Sequence, residues 1–484
     1  MSFRTRLSAL LGTARGDVPV LISDDHSVTW DDLRTSTRAL DERLTPLGAG
    51  PGTRVGLALA NRTGTIAALL ALLATERLPV LLDPMHPTAG MHDGEGRPRA
   101  ALVITTTGMP HPGARTITVD HDGRPLADPA PDLSGPVAEV AAPNTALELV
   151  TSGTTGPPRP VAITTEQLDA TMGPTPETSP EPGRAPSLLA APASHVSGLW
   201  TVLGAVHAAR ALVLLPRFAA EPWARAVHHH RVRVAFLVPA ALHAVLDADI
   251  DPALLDPLEL VTTGASPCPP ELAARFQDRF GVRVLPTYGA TEFAGAVAGW
   301  SRALHERWWP DKAGSCGRAL PGVALRTTAP DGTVLPPGVP GRLEVRGART
   351  GSAPTRWVRT ADLASLDADG FLVIHGRADG AVLRGGFTVL PEDVARVLER
   401  HPSVREAAVT GLPDERLGEV PVAAVLAEPA GPPPDPSELQ AHCRARLSPV
   451  EVPVRIVVLD SLPRTASAKV DHRALRADLT NLAD

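Results

Sequence analysis

Lysine is almost missing from this chain of 484 residues. Of its 46 basic residues only Lys312 and Lys469 are lysines. Tyrosine occurs once, at Tyr288, and cysteine three times, at Cys268, Cys316 and Cys443. Three widely separated cysteines exclude a disulfide framework and a Cys-x-x-Cys metal site, so a reducing cytoplasm is the expected compartment. Charge of one sign is also scarce: 46 basic against 53 acidic residues leave −7, with no Lys/Arg block. That balance offers no field for nucleic acid and no basic membrane patch. The longest clean apolar run, Ile66–Ala74, has nine residues, far short of the about 20 that span a bilayer. The opening MSFRTRLSALLG has too short an apolar stretch for a signal peptide.

Two readings of the lysine shortage stand side by side. With 51 prolines and many alanines, biased coding from a GC-rich genome makes the survivors accidents. Alternatively a retained lysine sits where arginine will not do, because lysine is a compact point charge and arginine a flat fork.

What is present is globular. Apolar residues make up 43%, and a chain this long exceeds the about 250–300 residues at which single cores stop growing. Two domains or more are expected. Short apolar runs such as Val55–Leu59, Pro79–Leu82, Leu147–Thr151, Leu258–Thr262 and Val282–Pro286 alternate with helical stretches such as Thr65–Thr75, Val196–Ala209 and Pro269–Phe280. That alternation predicts mainly parallel sheets sandwiched by helices. From about Gly314 alternating segments with turn residues predict a smaller antiparallel β region. After Gly376 a shorter α+β pattern follows. The expected architecture is therefore α/β: a large N-terminal domain over 1–378 and a small C-terminal α+β domain over 379–484. Gly108–Pro136 and Thr171–Pro186, rich in Pro, Gly and Thr, are expected to be exposed loops.

Five segments carry chemistry. Thr151-Ser152-Gly153-Thr154-Thr155-Gly156 follows a strand; its glycines free backbone N–H groups to form a concavity and its hydroxyls add donors, a neutral cradle for a polyphosphate. It lacks the GK[ST] ending of a Walker A loop. Tyr288-Gly289-Ala290-Thr291-Glu292 offers an aromatic face, a hydroxyl and a carboxylate suited to Mg²⁺. Thr360-Ala361-Asp362 places a carboxylate at a strand end. Gly376-Arg377-Ala378-Asp379 lies where the composition changes. Leu462–Lys469 sets a lone ammonium on a polar loop. Each by itself also reads as an ordinary solvated turn.

Taken in this order, with Thr262-Thr263-Gly264-Ala265 and the strand Gly341–Gly347, the segments resemble the adenylate-forming superfamily of acyl-CoA synthetases, adenylation domains and luciferases. The resemblance covers most of the chain. It implies that Ser152, Thr154 and Thr155, with the glycines Gly153 and Gly156, hold the β- and γ-phosphates of ATP. Tyr288 would stack on adenine in a pocket shared with Gly264, Ala265 and Gly289. Thr291 would touch the α-phosphate, Glu292 would bind Mg²⁺, and Asp362 and Arg377 would grip the ribose. Asp379 would be the hinge of a mobile small domain, and Lys469 would stabilise the pentavalent phosphorus. Five departures stand out, among them Gly380, which follows Asp379 where the family usually has an acid. Pro158-Arg159-Pro160 replaces the usual ending of the phosphate loop, with Arg159 keeping the charge. Thr360-Ala361-Asp362 has Ala for Gly, Arg384 stands for a lysine, and Ala468 replaces the glycine before Lys469.

The acid's pocket is expected around Ala193-Ser194-His195-Val196-Ser197-Gly198, which resembles the acyl-pocket segment of acyl- and aryl-CoA ligases. His195, Val196, Gly198, Trp200 and Ser266 would line it, with His195, Trp200 and the Gly264–Ser266 turn following strands of one parallel sheet and lying across from Tyr288. No aspartate stands in this segment to hold an α-ammonium. The implied reaction is ATP-dependent activation of an aryl or medium acyl carboxylic acid, followed by transfer to a thiol, foremost CoA. The short aryl-acid ligases are the most similar group. Transfer to a separate carrier protein or another nucleophile, including nitrite activation as in diazotases, is one rival; a nucleotide-binding relative with impaired catalysis is the other. His228-His229-His230 reads as a solvated helix end, since adjacent helical residues point in different directions. Trp308-Trp309 reads as core packing, and Lys312 has no motif around it. The sequence leaves the oligomeric state open.

Overall fold

The computed structural model describes the chain except residues 85–99, 107–113, 127–143, 152–158, 177–179, 182, 379, 385–386, 415, 430, 466–467 and 483–484. The first large sheet has six strands in the order Arg115–Thr118, Leu102–Thr105, Arg54–Ala58, Leu78–Leu82, Thr145–Thr151 and Arg159–Thr164. All neighbours run parallel except the last pair, which is antiparallel with Thr151 opposite Arg159. Leu78–Leu82 is buried at every position, as expected of a strand covered on both faces.

The helix Thr63–Ala74 explains the packing beside it. Its sequence, TGTIAALLALLA, has no polar stripe, and eleven of its residues are buried. A helix apolar all round must be enclosed. It joins one core with the helices Phe3–Thr13, Trp30–Leu44 and Val196–His207. The last of these follows the strand Ser187–Leu189 of a second sheet, ordered Ser27–Thr29, Pro19–Ile22, Leu212–Leu214, Ser187–Leu189.

A third sheet supplies the cleft. Val234–Phe236, Leu260–Thr263 and Arg283–Ala290 are parallel, and Gly295–Gly299 and Arg318–Ala319 continue it antiparallel. The antiparallel β region follows as Ala324–Thr328, Gly341–Arg346, Val358–Leu366 and Leu372–Arg377. The C-terminal part builds cores of its own around the long pair Val404–Asp414 and Gly418–Ala427. It meets the rest through Arg405–Asp247, Arg400–Glu271 and Arg275–Glu428 ion pairs. Arg396 also donates to the carbonyl of Ile374 at 3.0 Å.

This is the expected α/β architecture, with two local corrections. Gly108–Pro136 is not all loop: Arg115–Thr118 is an edge strand paired in parallel with Leu102–Thr105. The Thr116-Ile117-Thr118-Val119 run has the β-branched content of a strand, but Pro and Gly on both sides hid it. Thr171 and Met172, placed in the second loop, close the helix Thr165–Met172. Among the described residues no helix is long and apolar enough to cross a membrane.

Candidate active site

The strand Arg283–Ala290 carries the chain's sole tyrosine into the cleft. It runs parallel to Leu260–Thr263 with Pro286 opposite Thr263, so the turn Gly264-Ala265-Ser266 emerges beside Thr287 and Tyr288. Thr287 Oγ1 donates to the Thr263 carbonyl at 2.9 Å. The Tyr288 hydroxyl donates to Asp362 Oδ2. Burial first, then the charge of Asp362, hold the phenol's pKa well above its ordinary value. Asp362 lies on Val358–Leu366 opposite Arg377 of the neighbouring strand, and its backbone N–H donates to Thr360 Oγ1 at 3.0 Å.

After Ala290 the chain makes a short 3-10 turn, Thr291–Phe293, then returns as Gly295–Gly299. Glu292 is exposed at this turn. The two strands approach closely at Gly289, where a Cβ would stand 2.1 Å from the Gly295 carbonyl oxygen and 2.6 Å from Ala296 Cα. The turn is held from below by Gln167, a buried residue of the helix Thr165–Met172. Its Nε2 donates to the carbonyls of Glu292 at 2.8 Å and Arg349 at 3.0 Å.

Lys469 reaches this place from the C-terminal part. It sits on a tight turn closed by an Arg464–Val470 bridge and by Thr465 N–H donating to the Lys469 carbonyl at 2.8 Å. Ala468 adopts φ 61°, a left-handed conformation that costs a residue with a Cβ about 1–2 kcal/mol. Lys469 is open to solvent, yet protein walls crowd its ammonium. That crowding lowers its pKa, while Glu292 and Asp362 act to raise it and Arg377 to lower it. An open cleft explains both facts: the walls are near but do not seal it. The groups expected to converge are linked in the structure: Glu292, Asp362 and Arg377 lie within electrostatic reach of Lys469, Asp362 stands opposite Arg377 across the paired strands, and Tyr288 donates to Asp362.

His195 is the N-cap of the helix Val196–His207, half-buried at the same cleft. Burial lowers its pKa; Asp83 opposes the shift and Lys469 adds to it. Val196 starts the helix, and Gly198 is packed so tightly that a Cβ would meet the Pro192 carbonyl oxygen at 2.1 Å. Trp200 lies over Gly295, whose Cβ would stand 2.8 Å from the indole Nε1. Asn61 fixes the segment before the helix. Its Nδ2 donates to the carbonyls of Ala191 at 3.0 Å and Leu215 at 2.9 Å, and its Oδ1 accepts from Ala193 N–H at 2.8 Å.

Two expectations are corrected here, and one residue is added. His195 and Trp200 follow a strand of the second sheet, whereas Gly264–Ser266 follows one of the third, because the cleft forms where two sheets abut. The Gly264 turn lies beside Tyr288 instead of across from it: a Cβ on Gly264 would stand 2.8 Å from Thr287 Oγ1. The segment around His195 has no acid, but Asp83, distant in sequence, comes within electrostatic reach of it.

Ser152, Gly153, Thr154, Thr155 and Gly156, expected to form the phosphate loop, and Asp379, expected to be the hinge, lie outside the described residues. The strands flanking the loop, Thr145–Thr151 and Arg159–Thr164, are described, and the second packs against the Thr291–Phe293 turn. His228 and His229 are exposed at their helix end, and among the described residues no group of three metal-ligating side chains exists. Lys312 pairs with Asp367 and Asp369, each at 2.7 Å, and lies over the rings of Trp308 and Phe371. Arg384 donates to the carbonyls of Pro449, Val450 and Val452. Gln167 and Asn61 were not foreseen. Thr164-x-x-Gln167 is a capping box visible in the sequence, but its second contact, to Glu292, spans 125 positions. Asn61 left no local signal.

Glu292, an exposed carboxylate, is a hard-oxygen group of the kind that fits Mg²⁺ held mainly by phosphate and water. The family model for an AMP-binding enzyme matches residues 12–353, and that for the AMP-binding enzyme C-terminal domain matches residues 393–469. The sulfoacetate–CoA ligase of Cupriavidus necator is 29% identical over 95% of this chain and 94% of its own length. A probable 2-succinylbenzoate–CoA ligase of Mycobacterium tuberculosis is 33% identical over 72% of this chain and 88% of its own. The o-succinylbenzoate CoA synthetase of Bacillus subtilis, solved with its acyl-adenylate intermediate, superposes with a TM-score of 0.77 at 25% identity, covering 99% of this chain and 97% of that one. The chain belongs to the AMP-binding enzyme family, the adenylate-forming ligases.

Proposed function

We propose that this enzyme activates an aryl or medium acyl carboxylic acid with ATP and passes the acyl group to CoA. The observation that carries the reading is the convergence of Lys469 with Glu292, Asp362 and Arg377, beside His195. A carboxylate is a poor acyl donor because hydroxide leaves badly. Attack of its oxygen on the α-phosphorus of ATP gives an acyl-adenylate and releases pyrophosphate. Bound Mg²⁺ would neutralise phosphate charge, with Glu292 as its protein ligand. The protein's own share is positioning and fixed charge. Thr151–Gly156 and Arg159 cradle the outer phosphates. Tyr288 and the Gly264–Ala265 turn, with Gly289, receive adenine, and Asp362 and Arg377 receive the ribose. Thr291 faces the α-phosphate, and Lys469 spreads the charge shared by phosphate and carboxylate.

The acid lies toward His195, Val196, Gly198, Trp200 and Ser266. His195, with its pKa lowered, is neutral at pH 7 and serves as a hydrogen-bonding wall. Lys469 must withdraw to admit the thiol, which is the role we assign to a hinge at Asp379 and to a small domain over 379–484. The three cysteines are free, in keeping with a cytoplasmic enzyme.

Pyrophosphate release measured across a panel of acids, with and without CoA, tests the reading. Aryl and simple acyl acids are expected to stimulate release and ordinary L-amino acids are not, because the segment at His195 carries no carboxylate to pair with a buried ammonium. Asp83 makes the amino-acid arm a sharp one. Efficient activation of an L-amino acid with aryl acids inert would overturn the substrate class. Release that proceeds with every acid but yields no acyl-CoA would move the acceptor to a carrier protein or another nucleophile.

Tyr288→Phe separates two roles of one side chain. The aromatic face survives, while Asp362 loses its donor. A hydrogen bond to a charged group is worth about 1.5–3 kcal/mol, so the KM for ATP should rise about tenfold or more with kcat nearly preserved. An unchanged KM would show that Asp362 needs no help from the hydroxyl.

A further inference from the structure

We infer that Gln167 is a positioning residue for the metal-binding carboxylate: it fixes the Glu292 turn to the exit strand of the phosphate loop. This rests on the proposed role of Glu292 as the Mg²⁺ ligand. The residue is 2% exposed. Its Oε1 accepts from Thr164 N–H at 3.0 Å, at the end of the strand leaving the phosphate loop. Its Nε2 donates to the Glu292 and Arg349 carbonyls at 2.8 and 3.0 Å. One carboxamide thus spends its acceptor on its own helix start and both donors on backbone from two segments 125 and 182 positions away. Helix capping alone needs only the acceptor, and glutamate would satisfy it; the two donated bonds require the amide.

The surroundings leave the amide no freedom. Gly351, at φ 66°, passes so close that a Cβ there would stand 2.8 Å from Gln167 Oε1. One turn further along the helix, Thr171 Oγ1 donates to the Ala294 carbonyl at 3.2 Å, and Arg349 donates to the Ala296 carbonyl at 2.9 Å. The turn bearing Glu292 is therefore gripped on its backbone, while Glu292 itself is exposed and acts electrostatically on Lys469. Because a carboxylate swings with its backbone, losing the grip should misplace the metal ligand without removing it. Glutamate at 167 would turn a carboxylate on two carbonyl oxygens and push the turn away.

The experiment is calorimetric titration of ATP into the full chain without acid, so that no turnover occurs, once with Mg²⁺ and once with EDTA. Gln167→Met fills the same volume without hydrogen bonds; Gln167→Glu keeps the cap and loses the donors, and stands in if the methionine variant fails to fold. Residues behind metal ligands typically matter about 10–100-fold. Either variant should lose at least about tenfold of the Mg²⁺-dependent gain in affinity, with metal-free ATP binding within about twofold of wild type. Thr164→Ala, which weakens the same helix start but leaves the Glu292 contact, should keep the gain. A full gain in Gln167→Met with the gain lost in Glu292→Gln overturns the inference and leaves the metal role standing. Equal losses in Thr164→Ala, or a matching loss of metal-free binding, also overturn it. An unchanged gain in Glu292→Gln overturns the metal role itself.

Discussion

Lys469→Ala should lower acid-dependent pyrophosphate exchange by about 10²–10³-fold, the typical loss when one preorganised charge contact is removed from a reaction centre. The same variant should still transfer the acyl group from a supplied acyl-adenylate to CoA at a rate much closer to wild type. The asymmetry follows from where the lysine sits. Its turn belongs to the C-terminal part, and its ammonium lies within electrostatic reach of Glu292, Asp362 and Arg377 of three other elements. On the proposed mechanism it serves the first step and withdraws for the second. Lys469→Arg should also be poor, because the turn that Ala468 and Thr465 tighten presents a point donor to a crowded cleft, and a planar fork is wider than that space. Normal exchange in the alanine variant would remove the catalytic role.

Gly289→Ala should cost about 10²-fold in the same exchange assay, with substrate affinity and rate falling together, since a displacement of about 1 Å in a reacting site is worth that much. The added methyl would stand 2.1 Å from the Gly295 carbonyl oxygen and 2.6 Å from Ala296 Cα. Both are backbone atoms of the returning strand, so no side-chain rotation relieves the clash. The strands must part, and they part between Tyr288 and Glu292. Overpacking of this kind commonly destabilises by about 1–3 kcal/mol, which a thermal melt would register beside the kinetic loss. Wild-type exchange with an unchanged melting temperature would mean that the turn has slack that the structure does not show.

The adjacency of Tyr288, Gly289, Thr291 and Glu292 was legible because one strand end and one turn carry them; local spacing suffices where chemistry is local. The helix Thr63–Ala74 was legible for a similar reason, since an unbroken apolar run permits few alternatives. Arg115–Thr118 was not, because a four-residue edge strand among prolines has little pattern of its own. Gln167 was half legible: its cap is written in four consecutive residues, but its grip on Glu292 is not.

By itself, then, the sequence determined which residue types are available for charge and nucleotide contact, the single lysine near its C-terminal end among them, and the alternation of strands and helices that sets the α/β class. Those properties reside in composition and short periods. Only the tertiary structure decided that His195 and the Gly264 turn arrive from two different sheets, that Asp83 comes within electrostatic reach of His195, and that Asn61 and Gln167 bind the site's turns from behind. Those facts depend on how independently twisted layers abut. A hydrogen bond between positions 125 or 130 residues apart is fixed by the packing of the layers between them, and no local pattern encodes it.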